Sequence, residues 1–130
     1  MASRTTGPEV PPASGDLLER LLALYRQEEQ LYTRVLALAA QQFEIANQGA
    51  AIGEIRRILA RKQTCLEEIG RLEVQENAAR TAWERGHGTW SPREQARLLA
   101  GRARITALID EILACEERND QELFAQTTEV

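Results

Sequence analysis

Few side chains in this chain are equipped for chemistry near neutral pH: one histidine, His87, two cysteines, Cys65 and Cys115, and scattered carboxylates. A di-iron bundle would need Glu-x-x-His motifs on facing helices, and phosphotransfer needs a histidine on an exposed helix face. His87 stands instead between Gly86 and Gly88, in turn-forming sequence. A Cys–His nucleophile pair needs the two groups within hydrogen-bond reach. On antiparallel helices meeting at that turn, both cysteines lie roughly 30 Å from His87 along the axis. Thr89-Trp90 follows the turn with no lysine, so no phosphate-binding loop is formed. The reading is that the chain is not an enzyme, has no catalytic or metal residues, and needs no cofactor.

One stretch still invites a chemical reading. In ARKQTCLEEIGRLE, Ala60–Glu73, Lys62 occupies a slot in the apolar series Ile52, Ile55, Leu59, Leu66, Ile69 and Leu72, beside Cys65, Glu67 and Glu68. A lysine in a seam can lay its stem on apolar neighbours and keep its ammonium in water. Polar seam residues also set the register between helices at some cost in stability. Glu67 and Glu68 are placed to pair with Lys62 or Arg71. Packing and register account for the stretch, with Cys65 a small core filler.

The elements that must carry these residues are long helices. Ala, Leu, Glu, Arg and Gln abound, and three of the four prolines, Pro8, Pro11 and Pro12, fall in the first dozen residues. Residues 1–15 read as a flexible tail, and 16–126 as one helical domain. A first helix spans about 16–47, with Asp16 and Glu19 able to form a capping box and Asn47-Gln48-Gly49 as a stop. A second spans about 50–85. Ser91-Pro92-Arg93-Glu94 opens a third over about 92–124, with Ser as cap and Pro at the first helical position. Short connections between long helices make neighbours antiparallel. The fold class is all-α: an elongated, antiparallel, up-down-up three-helix bundle resembling a coiled coil.

The formal charge of −4 argues against nucleic acid as principal partner, although Arg93, Arg97, Arg102 and Arg104 form a basic segment followed by an acidic one. No apolar run approaches the ~20 residues of a membrane span, and the start carries no secretory pattern. Two isolated cysteines outside any CxxC read as free thiols. A cytoplasmic protein without stable membrane insertion is expected.

The first helix carries more apolar surface than one seam requires. Leu18, Leu22, Tyr25, Tyr32, Leu36, Ala39 and Phe43 form one stripe, and Leu17, Leu24, Leu31, Leu38 and Ile45 another at seven-residue spacing. Glu28 and Glu29 interrupt the belt at one level. Two readings stay open: a middle helix needing a wide face for two neighbours, or a Leu24, Leu31, Leu38 stripe left open for a partner's helix. On the third helix Leu98, Ile105, Ile109 and Ile112 form the centre line, while Leu99, Leu113 and Phe124 lie on one flank and Leu123-Phe124 make an apolar tip, either a sticky end or a cap on the bundle.

The run Glu29-x-x-Tyr32, then Ile55-x-x-Ile58-Leu59-x-x-Lys62-x-x-x-Leu66-x-x-Ile69-x-x-Leu72-Glu73, with Ile105, Leu108, Ile112 and Asn119 downstream, resembles the FlgN-type flagellar export chaperones over about residues 16–126. The Trp83–Trp90 segment departs from that pattern. The resemblance implies a cytosolic type III export chaperone. Its partners would be the amphipathic helical termini of hook-associated proteins, kept soluble and escorted to a component of the export gate, by a monomer or homodimer. It implies a client surface in the C-terminal helix, carried onto Leu99, Leu113, Leu123 and Phe124. Periodicity alone adds Leu24, Leu31 and Leu38. The alternative is a self-associating coiled-coil adaptor that escorts no client and uses the Leu17–Ile45 stripe as its seam.

Overall fold

The structure, a computed structural model, describes residues 14–49, 52–86 and 90–128. These form three helices, α1 (Ser14–Asn47), α2 (Ile52–Gly86) and α3 (Pro92–Thr128), of 34, 35 and 37 residues. Each is roughly 50–55 Å long at 1.5 Å per residue. No strand occurs among the described residues. The expected tail falls almost wholly outside them.

The helix ends follow local chemistry. Ser91 and Glu94 close the expected box: the Ser91 amide donates to Glu94 Oε1 (2.8 Å) and the Glu94 amide to Ser91 Oγ (3.2 Å). Gly49 ends α1 in the left-handed region, φ 77°, its amide donating to the Ala46 carbonyl at 3.1 Å. The start of α1 differs from expectation. The helix begins two residues before Asp16, which therefore sits in the first turn, where the helix dipole favours a carboxylate. Glu19 reaches across to Arg97 of α3 at 3.2 Å.

The pairs across the helices show the topology. Tyr25 meets Gly101 and Asn119 meets Ala39, so α1 and α3 run parallel. Lys62 binds Gln42 of α1 and Glu116 of α3, while Arg80 further along α2 meets Tyr25 earlier in α1, so α2 runs antiparallel to both. The up-down-up bundle is observed. It is not evenly closed, however. α1 packs closely on both neighbours, whereas α2 and α3 barely approach each other. α1 is the spine and the other two are its flanks.

This decides between the two readings of α1's wide apolar arc. Leu24 and Leu38 are only 5% and 8% exposed, Leu17 is buried with them, and Leu31 and Ile45 are half-buried against the core. The expectation that Leu24, Leu31 and Leu38 form an open partner stripe is thereby corrected: α2 covers it. A homodimer seam along Leu17–Ile45 is closed for the same reason.

The core has two parts. One gathers Leu18, Leu21, Leu22, Tyr25, Ala79, Leu98 and Ile105; the other gathers Val35, Leu38, Ile58, Cys65, Ile69 and Ile112. On α1 the buried Glu28 lies between them. Toward the far end, Lys62 is buried, with Nζ donating to Gln42 Oε1 at 2.9 Å and paired to Glu116. Asn119 Nδ2 donates to the Ala39 carbonyl (3.1 Å) and to Glu116 Oε1 (3.0 Å). One polar layer thus ties all three helices at a single register. At the opposite end Trp83 and Trp90 stack at 3.7 Å between ring centroids, 6° from parallel, joining the end of α2 to the start of α3.

Gly101 marks a close approach of α3 to α1, since a Cβ there would stand 3.1 Å from Tyr25 Cδ2. A helical glycine costs about 1 kcal/mol relative to alanine, which close approach offsets. Gly70 has nothing within 4 Å of such a Cβ. Gly101→Val is expected to lower stability by about 1–3 kcal/mol, while Gly70→Ala raises it by about 0.5–1 kcal/mol, both read by urea denaturation. Equal effects of the two would contradict the close α1–α3 approach.

Candidate functional site

Because α2 and α3 both lean on α1 and hardly on each other, a groove runs between them with α1 as its floor. A cleft of ≈ 340 Å³ opens in its middle. Tyr25, Glu28 and Tyr32 come from the floor, Glu73, Glu76, Asn77 and Arg80 from α2, and Arg102, Ile105, Thr106 and Ile109 from α3. A second cleft of ≈ 260 Å³ adjoins it, sharing Tyr25, Arg80 and Arg102 and adding Trp90, Gln95, Leu98 and Leu99.

Helical periodicity extends the walls. At ~100° per residue, Leu59 and Leu66 lie on the side of α2 that carries Glu73 and Asn77 into the cleft. Leu113 lies on the side of α3 that carries Thr106 there. All three are exposed, as is Leu99. The antiparallel register that joins Lys62 to Glu116 sets Leu66 nearly opposite Leu113. The groove therefore has apolar walls toward its ends and a charged middle.

The middle is unusual for its burial. Glu28 and Glu76 are 4% and 7% exposed, and Glu28 Oε1 and Glu76 Oε2 have no hydrogen-bond partner. Burial pushes the Glu28 carboxyl up to about 8, reinforced by a hydrogen bond with Glu76 and by the negative charges of Glu76 and Glu73, with Arg102 opposing. Glu28 thus holds its proton at neutral pH, hydrogen-bonded to Glu76. Tyr32 is pushed up to about 12, first by burial and then by the charges of Glu28, Glu73 and Glu76. Arg80 donates to the Tyr25 hydroxyl with its guanidinium 5.8 Å from the Tyr25 ring centroid. Its pKa is lowered by burial and then by Arg102, with Glu84 opposing.

The residues expected to bind a partner divide sharply. Leu99 (66% exposed), Leu113 (62%), Leu123 (60%) and Phe124 (69%) all lie open on α3. Leu99, Leu113 and Phe124 fall within ~40° of one another around the helix. Leu24 and Leu38 lie in the core. Sequence reasoning missed the opposing wall, Leu59 and Leu66, because both were assigned to a seam. It also missed Glu76. The series Lys62, Ile69, Glu76 continues a buried line at seven-residue spacing, and extending the lysine argument one heptad would have found it.

The chemical residues play no part here. Cys65 and Cys115 are free and buried, His87 lies outside the described residues, and among the described residues no group of His, Cys, Asp and Glu has the geometry of a metal site. No described helix is long and apolar enough to cross a membrane. In the basic segment, Arg97 pairs with Glu19 and Arg104 with Glu29 (3.1 Å), so two of its four arginines face α1 carboxylates rather than a polyanion.

Glu28 makes the fold sensitive to pH. An unfolded chain releases that proton from about 4.5 upward, whereas the folded chain holds it to about 8. Its contribution to stability is therefore greatest below about 4.5 and is lost as pH rises to about 8. Glu28→Gln keeps shape and hydrogen bonding without the charge. It is expected to stabilise the fold by about 1–2 kcal/mol near pH 9 and much less near pH 5, measured as the difference between the two urea midpoints. A pH-independent difference would refute the assignment.

No protein-family model, curated protein or solved structure matches the chain.

Proposed function

We propose that the chain is a cytosolic export chaperone of the FlgN type, binding the amphipathic helical termini of flagellar hook-associated proteins and keeping them soluble until they are passed to the export gate. The observation that carries this reading is the half-open bundle, whose α2–α3 groove presents exposed leucines on both walls, Leu66 nearly opposite Leu113, with Leu59 on the α2 wall and Leu99 on the α3 wall further toward opposite ends. It joins the sequence resemblance, which points to the same helix.

The physical task fits the shape. A segment that is amphipathic and unfolded before assembly exposes an apolar stripe with nothing to cover it. A helix laid along the groove would stand as a fourth helix, hiding its stripe against α2 and α3. Each leucine buried in this way contributes about 1 kcal/mol or somewhat more, since it starts partly covered, and most of that is opposed by the cost of ordering the client. Binding of that kind is reversible, as release at an export gate requires. No bond is made or broken in this task, and nothing in it calls for a nucleotide or a metal.

Co-purification from cells expressing flagellar genes is expected to recover a hook-associated protein, and its absence would remove the reading. Leu99→Glu with Leu113→Glu should weaken that capture at least about tenfold, equivalent to ~1.4 kcal/mol, with helical content by circular dichroism unchanged. Loss of helicity instead would make those leucines structural. A concentration-dependent dimer abolished by the same changes would instead favour self-association through this groove, in place of the Leu17–Ile45 seam.

A further inference from the structure

We propose that the cleft in the middle of the groove is a binding site for a primary ammonium group, held by the facing carboxyls of Glu28 and Glu76. Both side chains are more than nine-tenths buried, both line the cleft, and each has an oxygen without a partner. Leaving a buried acceptor unsatisfied costs about 1–3 kcal/mol, so two such carboxyls, buried at the wall of a cleft, are a poor structural arrangement and a good receptor. An alkylammonium is a compact charge with three donors. Two donors go to the carboxyl pair, one to Glu28 and one to Glu76, and Asn77 or Thr106 on the cleft walls can accept the third. At ≈ 340 Å³ the cleft holds about ten times the ~30 Å³ of one water, room for an alkyl chain behind the charge.

The surrounding charges set the conditions. Glu73 adds a third carboxylate from α2, while Arg80 and Arg102 stand on the two walls. Arg80 is occupied by the Tyr25 hydroxyl. Arg102 is the chain's own competitor for the pair, since its charge opposes the upward shift of Glu28. Tyr32 stays protonated alongside them. Because Glu28 holds a proton to about pH 8, capturing a cation displaces that proton, and affinity rises with pH. The ammonium can come from a free diamine or from a lysine side chain of a docked helix. The site does not depend on the export reading, because a free amine can fill it.

The test is titration of the whole chain with cadaverine, and separately with a short amphipathic peptide carrying either lysine or norleucine at its centre. NMR signals of the Tyr25 and Tyr32 rings report occupancy. Saturable binding of cadaverine is expected, at least about tenfold weaker in Glu28→Gln/Glu76→Gln and about threefold tighter above pH 8 than below pH 7. Cadaverine and the lysine peptide both binding assigns the site to ammonium groups of either source, cadaverine alone to free amines, and the lysine peptide alone to a docked helix. Each upholds the proposal provided the double variant abolishes it. No saturable shift with any probe, equal binding in the double variant, or equal binding of lysine and norleucine peptides with none by cadaverine would overturn it. So would binding seen only after Arg102→Gln, which would make the chain's own guanidinium the cation the pair holds.

Discussion

The bundle depends on one helix being buried from two sides. α1 is the only element in close contact with both others, so its apolar arc must span two interfaces while α2 and α3 each need little more than one. Leu21 and Val35, at 0% and 1% exposure, mark where that arc is deepest. Everything else follows from this division of labour. The flanks can carry charge over most of their circumference, because α1 supplies the largest share of the buried apolar side chains. The same division leaves the flanks free of each other, and the groove between them is its direct consequence.

Apolar packing of this kind sets proximity but not register, since leucines on neighbouring helices slide past one another at modest cost. Polar contacts set the register. Lys62 with Gln42 and Glu116, and Asn119 with the Ala39 carbonyl, can be satisfied together at one axial position only. A one-turn slip would leave an ammonium and an amide buried without partners, which costs more than the contacts are worth when made. The stacked tryptophans at the other end tie α2 to α3 where the chain turns between them. The groove is therefore pinned at both ends and open between. Exposed ion pairs such as Arg71–Glu68 contribute little by comparison.

The Glu28–Glu76 pair is the exception to this economy. It separates the two parts of the core, yet unlike the Lys62 layer it has no internal counter-ion seated on it. A buried carboxyl pair without a cation destabilises a fold at the pH where it should ionise. That cost is tolerable only because the long apolar arc of α1 above and below is so well covered. Flanked by exposed leucines on both walls, the pair gives the groove a charged centre between apolar ends, a pattern suited to selecting among amphipathic ligands rather than merely attracting them.

Much of this was legible in the sequence. Ser91-Pro92-Arg93-Glu94 and Gly49 determine helix ends by local hydrogen bonding, which needs no tertiary context, and the three helices follow from composition and the near absence of proline. The polarity of Lys62 within an apolar series was enough to read it as a register residue. What periodicity could not determine was which of several apolar stripes a neighbour covers. Leu24 and Leu38 look as available as Leu99 and Leu113 on a helical wheel, and the first pair is buried while the second is open. Nor could it show which of Glu28 and Glu29 turns inward, or that Glu76 meets it from α2. Those outcomes belong to the tertiary structure, because a helix's own sequence states how much surface must be buried, and only the number and placement of its neighbours decide which surface that is.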